Sequence, residues 1–330
     1  MTIATIGERA LIARLHSRLP VLPPWVLTGI GDDAAVLKPA RGTVDIVTTD
    51  ALVEDVHFRR TWSTPRDIGH KALAVNLSDL ASMGATPRAL LLSLALPAAF
   101  PLDDFDGLVD GFIFLAGGAQ APLVGGNLTR SPGPLMVNVT AVGSAQPRRV
   151  LRRSGARPGD RLFVTGALGA AAAGLAMFEA GDHASEGDLE CLTAYRAPLP
   201  RLRTGIIVAR NRAASACMDL SDGLADAAVQ IGDASGCGIE LDAATIPVQA
   251  GARRWAESLA QSPATFALAG GEDYELLFAV PKRRTRLFLT AVRQAGEASI
   301  TEIGVCTKTP GHWLVESGTR RPLEGGFRHF

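Results

Sequence analysis

The sequence predicts two α/β lobes, and three observations predict them. Apolar segments of strand and helix length alternate through both halves of the chain. A basic, proline-containing stretch running from Gln146-Pro147-Arg148-Arg149 to Pro158-Gly159-Asp160 separates the halves. At 330 residues, the chain is long enough for each half to bury a core of its own. The division is expected near residue 147, giving one lobe over 1–147 and a second over 148–330.

In the first lobe the β-branched run Val44-Asp45-Ile46-Val47-Thr48-Thr49 reads as a strand ending at Asp50. Residues 70–84 carry apolar side chains at 73, 77 and 80 and stop at Gly84, which is helical spacing; Asn76 and Asp79, three apart, then share one face. Residues 90–96 read as a buried strand ended by Pro97, 103–115 as a helix and 135–143 as another strand. The second lobe opens on a strand at 161–165, followed by a Gly-rich turn and an Ala-rich helix reaching Phe178. Strand and helix alternate again through 238–241, 253–259, 274–280, 282–295 and 300–305.

Bulk composition narrows the functions. Lys plus Arg equals Asp plus Glu at 33 each, so no net charge draws the chain to nucleic acid or to an anionic membrane. Cys191, Cys217, Cys237 and Cys306 have neither CxxC spacing nor a nearby histidine pattern, and read as reduced core thiols. The N-terminus reaches Glu8 before any apolar run, unlike a signal peptide, and the apolar stretch 162–178 is too interrupted by glycine to span a bilayer. A cytoplasmic, soluble protein is expected.

The chemistry lies in acidic clusters: Gly31-Asp32-Asp33, Thr48-Thr49-Asp50, Ser78-Asp79, Asp219-Leu220-Ser221-Asp222 and Gly271-Glu272-Asp273. Clustered carboxylates repel one another unless a cation sits between them, and their Gly, Ser and Thr neighbours suit Mg²⁺ and a polyphosphate. Each cluster also has an ordinary reading. The two acids after Gly31 can be a solvated turn or a helix cap. Thr48-Thr49-Asp50 is expected where a strand meets its loop, as a site or as a plain turn. Asp79, among Leu77, Leu80, Ala81 and Met83, is either on the wet side of its helix or buried against a cation. Asp222 can cap a helix starting near Leu224, an explanation that does not cover Asp219.

Gly125-Gly126-Asn127 offers backbone N–H groups to phosphate, but alone it reads as a tight turn before the strand at Leu135. Val164-Thr165-Gly166-Ala167-Leu168-Gly169 lacks the Gly-Lys-Ser/Thr ending of a P-loop. His57 sits in a loop seven residues after Asp50, able to donate to a phosphate. The tail Gly326-Phe327-Arg328-His329-Phe330 places two aromatics where they can dock on a ligand.

Taken in order, GIGDDAAV, TTDALVEDVHF, HKALAVNLSDLASMGATP, GGNLTRSPG, LRRSGARPGD, VTGALG, DLSDGLADAA, GGEDYELLF and GFRHF cover nearly the whole chain and resemble the thiamine-monophosphate kinase family. This family shares its ATP-and-Mg²⁺ architecture with aminoimidazole-ribotide synthetase and selenophosphate synthetase. The reactive cysteine usual in the N-terminal segment of the latter has no counterpart before Cys191. The resemblance implies an α/β (α+β) subunit of two domains, paired as a homodimer whose N-terminal sheets form a barrel, with ATP in a groove between the lobes. It implies phosphorylation of thiamine monophosphate by ATP with several Mg²⁺ ions.

Residue by residue, Asp33, Thr48, Thr49, Asp50, Asp79, Asp219 and Asp222 fall on Mg²⁺ ligands, and Gly126, Arg153 and Ser221 on ATP contacts. His57, Glu272 and Phe327 fall on positions that touch thiamine phosphate. Asp50, Asp79 and Arg153 are the expected catalytic residues. One position departs: Asn127 stands where the family commonly has Asp, offering a metal one carbonyl oxygen and no charge.

Overall fold

A computed structural model describes residues 1–181, 188–324 and 326. The chain divides into two compact units, one of Met1–Leu80 and Thr86–Pro147, the other of Ala81–Ala85 and Arg148–Phe330.

The first unit contains α1 (Ile3–Ile6), α2 (Glu8–His16), β1 (Val26–Thr28), β2 (Val36–Leu37), β3 (Val44–Val53), α3 (Pro65–Ser82), β4 (Thr86–Pro97), α4 (Leu102–Gly118), β5 (Leu123–Ser131) and β6 (Met136–Ala145). Its main sheet runs β3-β6-β4-β5. β6 is antiparallel to both β3 and β4, while β4 and β5 are parallel. Strand alternation turns Leu90, Leu92, Leu94 and Leu96 of β4 and Val137, Val139 and Ala141 of β6 inward, where all are buried. In α3 the expected positions Leu73, Leu77 and Leu80 are buried as well. α3 and α4 approach until a Cβ at Gly111 would stand 2.0 Å from the Arg66 carbonyl oxygen, so only glycine fits there.

Two expectations need correction in this unit. Thr48-Thr49-Asp50 is not at a strand end, because β3 continues to Val53, fully paired with β6 in antiparallel register. Gly125-Gly126 is not a turn but part of β5, paired in parallel with β4. A Cβ at Gly126 would lie 1.9 Å from the Leu92 carbonyl oxygen, which explains the glycine by close strand approach.

The second unit contains β7 (Arg161–Thr165), α5 (Ala170–Ala180), α6 (Asp188–Arg196), α7 (Leu202–Asn211), β8 (Ala216–Asp219), α8 (Leu224–Ser235), β9 (Gly238–Asp242), α9 (Ala250–Ser258), α10 (Pro263–Ala269), β10 (Leu276–Val280), α11 (Thr285–Ala295), β11 (Ile300–Thr307), β12 (His312–Glu316) and β13 (Thr319–Pro322). Its seven strands lie in the order β13-β12-β9-β11-β7-β10-β8. Only β12 and β9 pair in parallel; the other neighbours are antiparallel. One face packs α8 and α10 over Leu162, Met218 and Leu277, and the other packs α7 and α11 over Phe163, Cys217 and Phe278. The four cysteines are free and buried. Among the described residues no helix is long and apolar enough to cross a membrane.

Candidate functional site

In the first unit, strand alternation sorts the Thr-Thr-Asp segment onto two faces. Thr48 and Asp50 point toward α3, where the Thr48 hydroxyl donates to Asp79 Oδ2. The Asp50 backbone N–H donates to Asn76 Oδ1 at 3.1 Å, and Asn76, fully buried, donates in turn to the Ala72 carbonyl at 3.0 Å. Asn76 and Asp79, three apart on α3, therefore both meet β3. Thr49 faces the other way, its hydroxyl 3.0 Å from that of Thr140 and 3.1 Å from the Val139 carbonyl.

The Asp50 carboxyl is pushed up to about 6, first by burial, then by the negative charge of Asp79 and by the hydrogen bond the two carboxyls share. Two carboxylates held this close with a hydroxyl beside them form a donor set that a hard divalent cation stabilises. Among the described residues no three His, Cys, Asp or Glu side chains gather to hold a metal ion.

The turn after β3 carries His57. The Val53 N–H donates to His57 Nδ1 at 3.1 Å, so in the neutral ring the proton sits on Nε2 as a donor. Lys71, 1 % exposed on α3, donates to the His57 carbonyl at 3.2 Å and fixes the turn from below. Asp33, Gly126 and Asn127 line a separate cavity of about 720 Å³ with Asp32 and residues of β4.

In the second unit two sequence motifs zip together. The Leu220 N–H donates to the Glu275 carbonyl at 2.9 Å, the Glu272 N–H to the Ser221 carbonyl at 2.7 Å and the Tyr274 N–H to the Leu220 carbonyl at 3.0 Å. Asp219, at the end of β8 and 3 % exposed, Ser221, Asp222 and Glu272 are thereby brought together at the mouth of α8. Glu272 and Tyr274 take positive φ of 64° and 49°, an unusual backbone for non-glycine residues. Gly326 packs there too: a Cβ on it would lie 3.1 Å from Asp226 Cβ and 3.2 Å from the Asp222 carbonyl oxygen. Phe327 lies outside the described residues.

Arg153 is exposed, and its Nη1 donates to Gln230 Oε1 at 2.6 Å, while Gln230 Nε2 donates to Asp226 at 2.5 Å. Asp226 fixes which end of the Gln230 amide faces Arg153. Sequence reading missed this relay and Lys71. The four-residue step from Asp226 to Gln230 is helical spacing with no motif to mark it, and Lys71 stands next to His70 in an unremarkable helical pattern.

The AIR synthase related protein N-terminal domain matches residues 31–145, and the corresponding C-terminal domain matches residues 157–315. The thiamine-monophosphate kinase of Escherichia coli K12 is 39% identical over 330 residues, covering 98% of each chain. That of Synechococcus elongatus is 36% identical, covering 100% of this chain and 98% of its own. The crystal structure of thiamine-monophosphate kinase from Stenotrophomonas maltophilia K279a superposes with a TM-score of 0.83 at 34% identity, covering 94% of this chain and 96% of its own. The structure of AaThiL complexed with AMPPCP and TMP superposes with a TM-score of 0.78 at 30% identity over 100% and 99% of the two chains. The hydrogenase maturation protein HypE, at 21% identity and a TM-score of 0.78, shares the fold. Family models over both halves, and relatives of this identity along the whole length, place the chain in the thiamine-monophosphate kinase family of AIR synthase related proteins.

Proposed function

We propose that the protein transfers the γ-phosphoryl group of ATP to thiamine monophosphate, giving thiamine diphosphate and ADP by direct in-line attack. The observation that carries this reading on the chain itself is the Asp50–Asp79 pair with the Thr48 hydroxyl on it. Its full-length relatives bear the name of this kinase, and one of them was solved with AMPPCP and TMP.

The acceptor is a phosphate monoester with a second pKa near 6, so at pH 7 its attacking oxygen is largely deprotonated and needs no strong base. The barrier is bringing two anions together in line. Asp50, Asp79 and the Thr48 hydroxyl would hold Mg²⁺, with Asp33, Asn127, the Thr49 carbonyl, Asp219 and Asp222 as the other candidate ligands. One or two carboxylates, completed by phosphate oxygens and water, is how proteins commonly bind this ion. Bound Mg²⁺ would neutralise phosphate oxygens during transfer.

The chain's own groups do the rest. His57 Nε2–H donates to the acceptor phosphate, Glu272 and Phe327 hold its ring end, and Gly126 and Ser221 contact ATP. Arg153, steadied by Gln230, counters charge on the transferring group. Chiral ATP labelled at the γ-phosphorus tests the step: inversion is expected, and retention would require a phosphoenzyme instead.

The working form is a cytoplasmic homodimer joined through the first unit's sheet. Supporting this, the face turned away from α3 exposes Val47 (64 %) and half-exposes Ala51 and Ala95, an apolar surface of the kind subunits cover.

A further inference from the structure

In the acidic segment Gly271-Glu272-Asp273 the two carboxylates part company. Glu272 belongs to the candidate site at the mouth of α8, whereas the Asp273 carboxylate reaches the N-terminus of α5. There its Oδ2 accepts from the Gly169 N–H at 2.8 Å and its Oδ1 from the Ala171 N–H at 3.4 Å. N–H groups in the first turn of a helix have no intrahelical carbonyl to meet. Gly169, the N-cap of α5, has no side chain to offer them, so the cap comes from a loop 104 residues further along the chain.

That loop, residues 270–275, is wedged between α5 and the link from β8 to α8. A Cβ at Gly270 would lie 2.8 Å from Ala172 Cβ of α5, and one at Gly271 would lie 2.7 Å from the Ser221 carbonyl oxygen. Toward Leu220 and Ser221 the loop is held by the backbone bonds of Glu272, Tyr274 and Glu275. Toward the body of the unit it is held by side chains: Asp273 on α5, and Glu275, which accepts from Arg201 Nε and Nη2 at 2.7 and 2.5 Å and from the Thr165 hydroxyl at 2.6 Å. Residues 273 and 275 are thus tethered by their carboxylates, and the alternate residues, Glu272 and Tyr274, are the ones with φ of 64° and 49°. Left-handed backbone at such residues persists only where the surroundings over-determine it. The Asp273 tether is not a cheap cap: burial pushes its carboxyl up to about 7 against the pull of its N–H partners. A neutral hydroxyl would cap a helix without that cost.

We propose that Asp273 is a positioning residue for the acceptor: by pinning residues 270–275 to α5 it fixes the left-handed backbone from which the Glu272 side chain departs. The assignment rests on the kinase reading above, in which Glu272 holds the acceptor. Glu275 and Arg201 anchor the start of β10, on the far side of Tyr274, while Asp273 stands directly beside Glu272. Losing the first pair loosens the strand; losing Asp273 leaves the strand in place and frees the one residue that meets the acceptor.

In the full-length protein, Asp273→Ala removes both acceptor oxygens. The KM for thiamine monophosphate is expected to rise about tenfold, with kcat and the KM for ATP within about threefold. Asp273→Asn keeps the shape and one oxygen for the Gly169 N–H, and is expected to bring the acceptor KM back to within about threefold of wild type. Equal shifts in both KM values, an asparagine variant no better than alanine, or a lowered unfolding midpoint with an unchanged acceptor KM would make Asp273 a helix cap and overturn the proposal. Residue-resolved hydrogen exchange on the wild-type protein needs no variant. The Gly169 and Ala171 amides, whose acceptor is Asp273, are expected to open together with those of Glu272 and Tyr274, with protection factors within about tenfold of one another. A larger gap in either direction would mean that tether and loop open separately, and overturns the proposal. If the wild-type protein forms no thiamine diphosphate, the kinase reading fails; hydrogen exchange still decides the tether, and calorimetric titration of thiamine monophosphate decides what it serves. A dissociation constant raised about tenfold by Asp273→Ala sustains the proposal; an unchanged constant, or no binding to the wild-type protein, overturns it.

Discussion

Replacing Asp79 by Asn separates a functional carboxylate from a structural one, because activity and metal-free stability are expected to change in opposite directions. The side chain keeps its shape and an oxygen able to accept from the Thr48 hydroxyl, but loses its charge. In the metal-free protein Asp50 is pushed from 3.8 to about 6, a shift of roughly two units, or about 3 kcal/mol at about 1.4 kcal/mol per unit. Burial is the larger cause and Asp50 is partly exposed, so solvent screening leaves the share due to Asp79 on the order of 1 kcal/mol. Asp79→Asn should therefore leave the metal-free protein as stable as wild type at pH 7.5, or about 1 kcal/mol more stable, in urea denaturation without Mg²⁺. Turnover should fall by about a hundredfold or more, the scale of losing a preorganised charge at a phosphoryl-transfer site. A near-wild-type rate would remove Asp79 from the site. A loss of several kcal/mol with modest kinetic change would make it a structural residue.

Three further outcomes follow from the same contacts. Because the folded-state pKa of Asp50 lies above its unfolded value, the folded chain holds a proton between about pH 4 and 6 that the unfolded chain has released; metal-free stability should fall as pH rises through that window, and Asp50→Asn should remove this component in denaturation curves. Lys71→Met withdraws the donor from the His57 carbonyl and should raise the acceptor KM about tenfold, the worth of one hydrogen bond, with little change in the KM for ATP; initial-rate kinetics showing equal shifts for both substrates would count against a positioning role. Arg201→Met leaves Glu275, 4 % exposed, without its charged partner and should cost about 3–5 kcal/mol in urea unfolding; a loss below about 1 kcal/mol would mean the pair holds nothing together.

Local periodicity carried much of the fold. The spacing of Leu73, Leu77 and Leu80 marked the buried face of α3, and the apolar runs marked β4, β7 and β10. The helix expected from near Leu224 does start there as α8, but Gly223 rather than Asp222 stands at its N-cap and no side chain caps it. Periodicity failed where tertiary contacts override it. Thr48 and Asp50 look like a strand end because polar residues interrupt an apolar run, yet β3 continues through them since Asn76 and Asp79 on α3 supply partners. Gly125 and Gly126 look like a turn, yet the approach of the Leu92 carbonyl makes glycine a requirement of the strand. The order of the seven-stranded sheet was not legible either. β7 lies between β10 and β11, more than a hundred residues away, and no local pattern encodes so distant a pairing.

The candidate site shows the same division. Motif order singled out Asp50, Asp79, Asp219, Ser221, Asp222 and Glu272 as candidates, because acids beside glycine and hydroxyl residues are costly unless something uses them. The supports, Lys71 beneath His57 and Gln230 beside Arg153, became visible only through distances.

Incubating the purified protein with thiamine monophosphate, ATP and Mg²⁺, beside a reaction lacking the acceptor, and following thiamine diphosphate and ADP together decides whether the chain is this kinase. The two products are expected in one-to-one ratio, only when acceptor and Mg²⁺ are both present, with Asn127 tolerated. ADP released without thiamine diphosphate, or both substrates bound with neither product formed, would contradict the kinase reading.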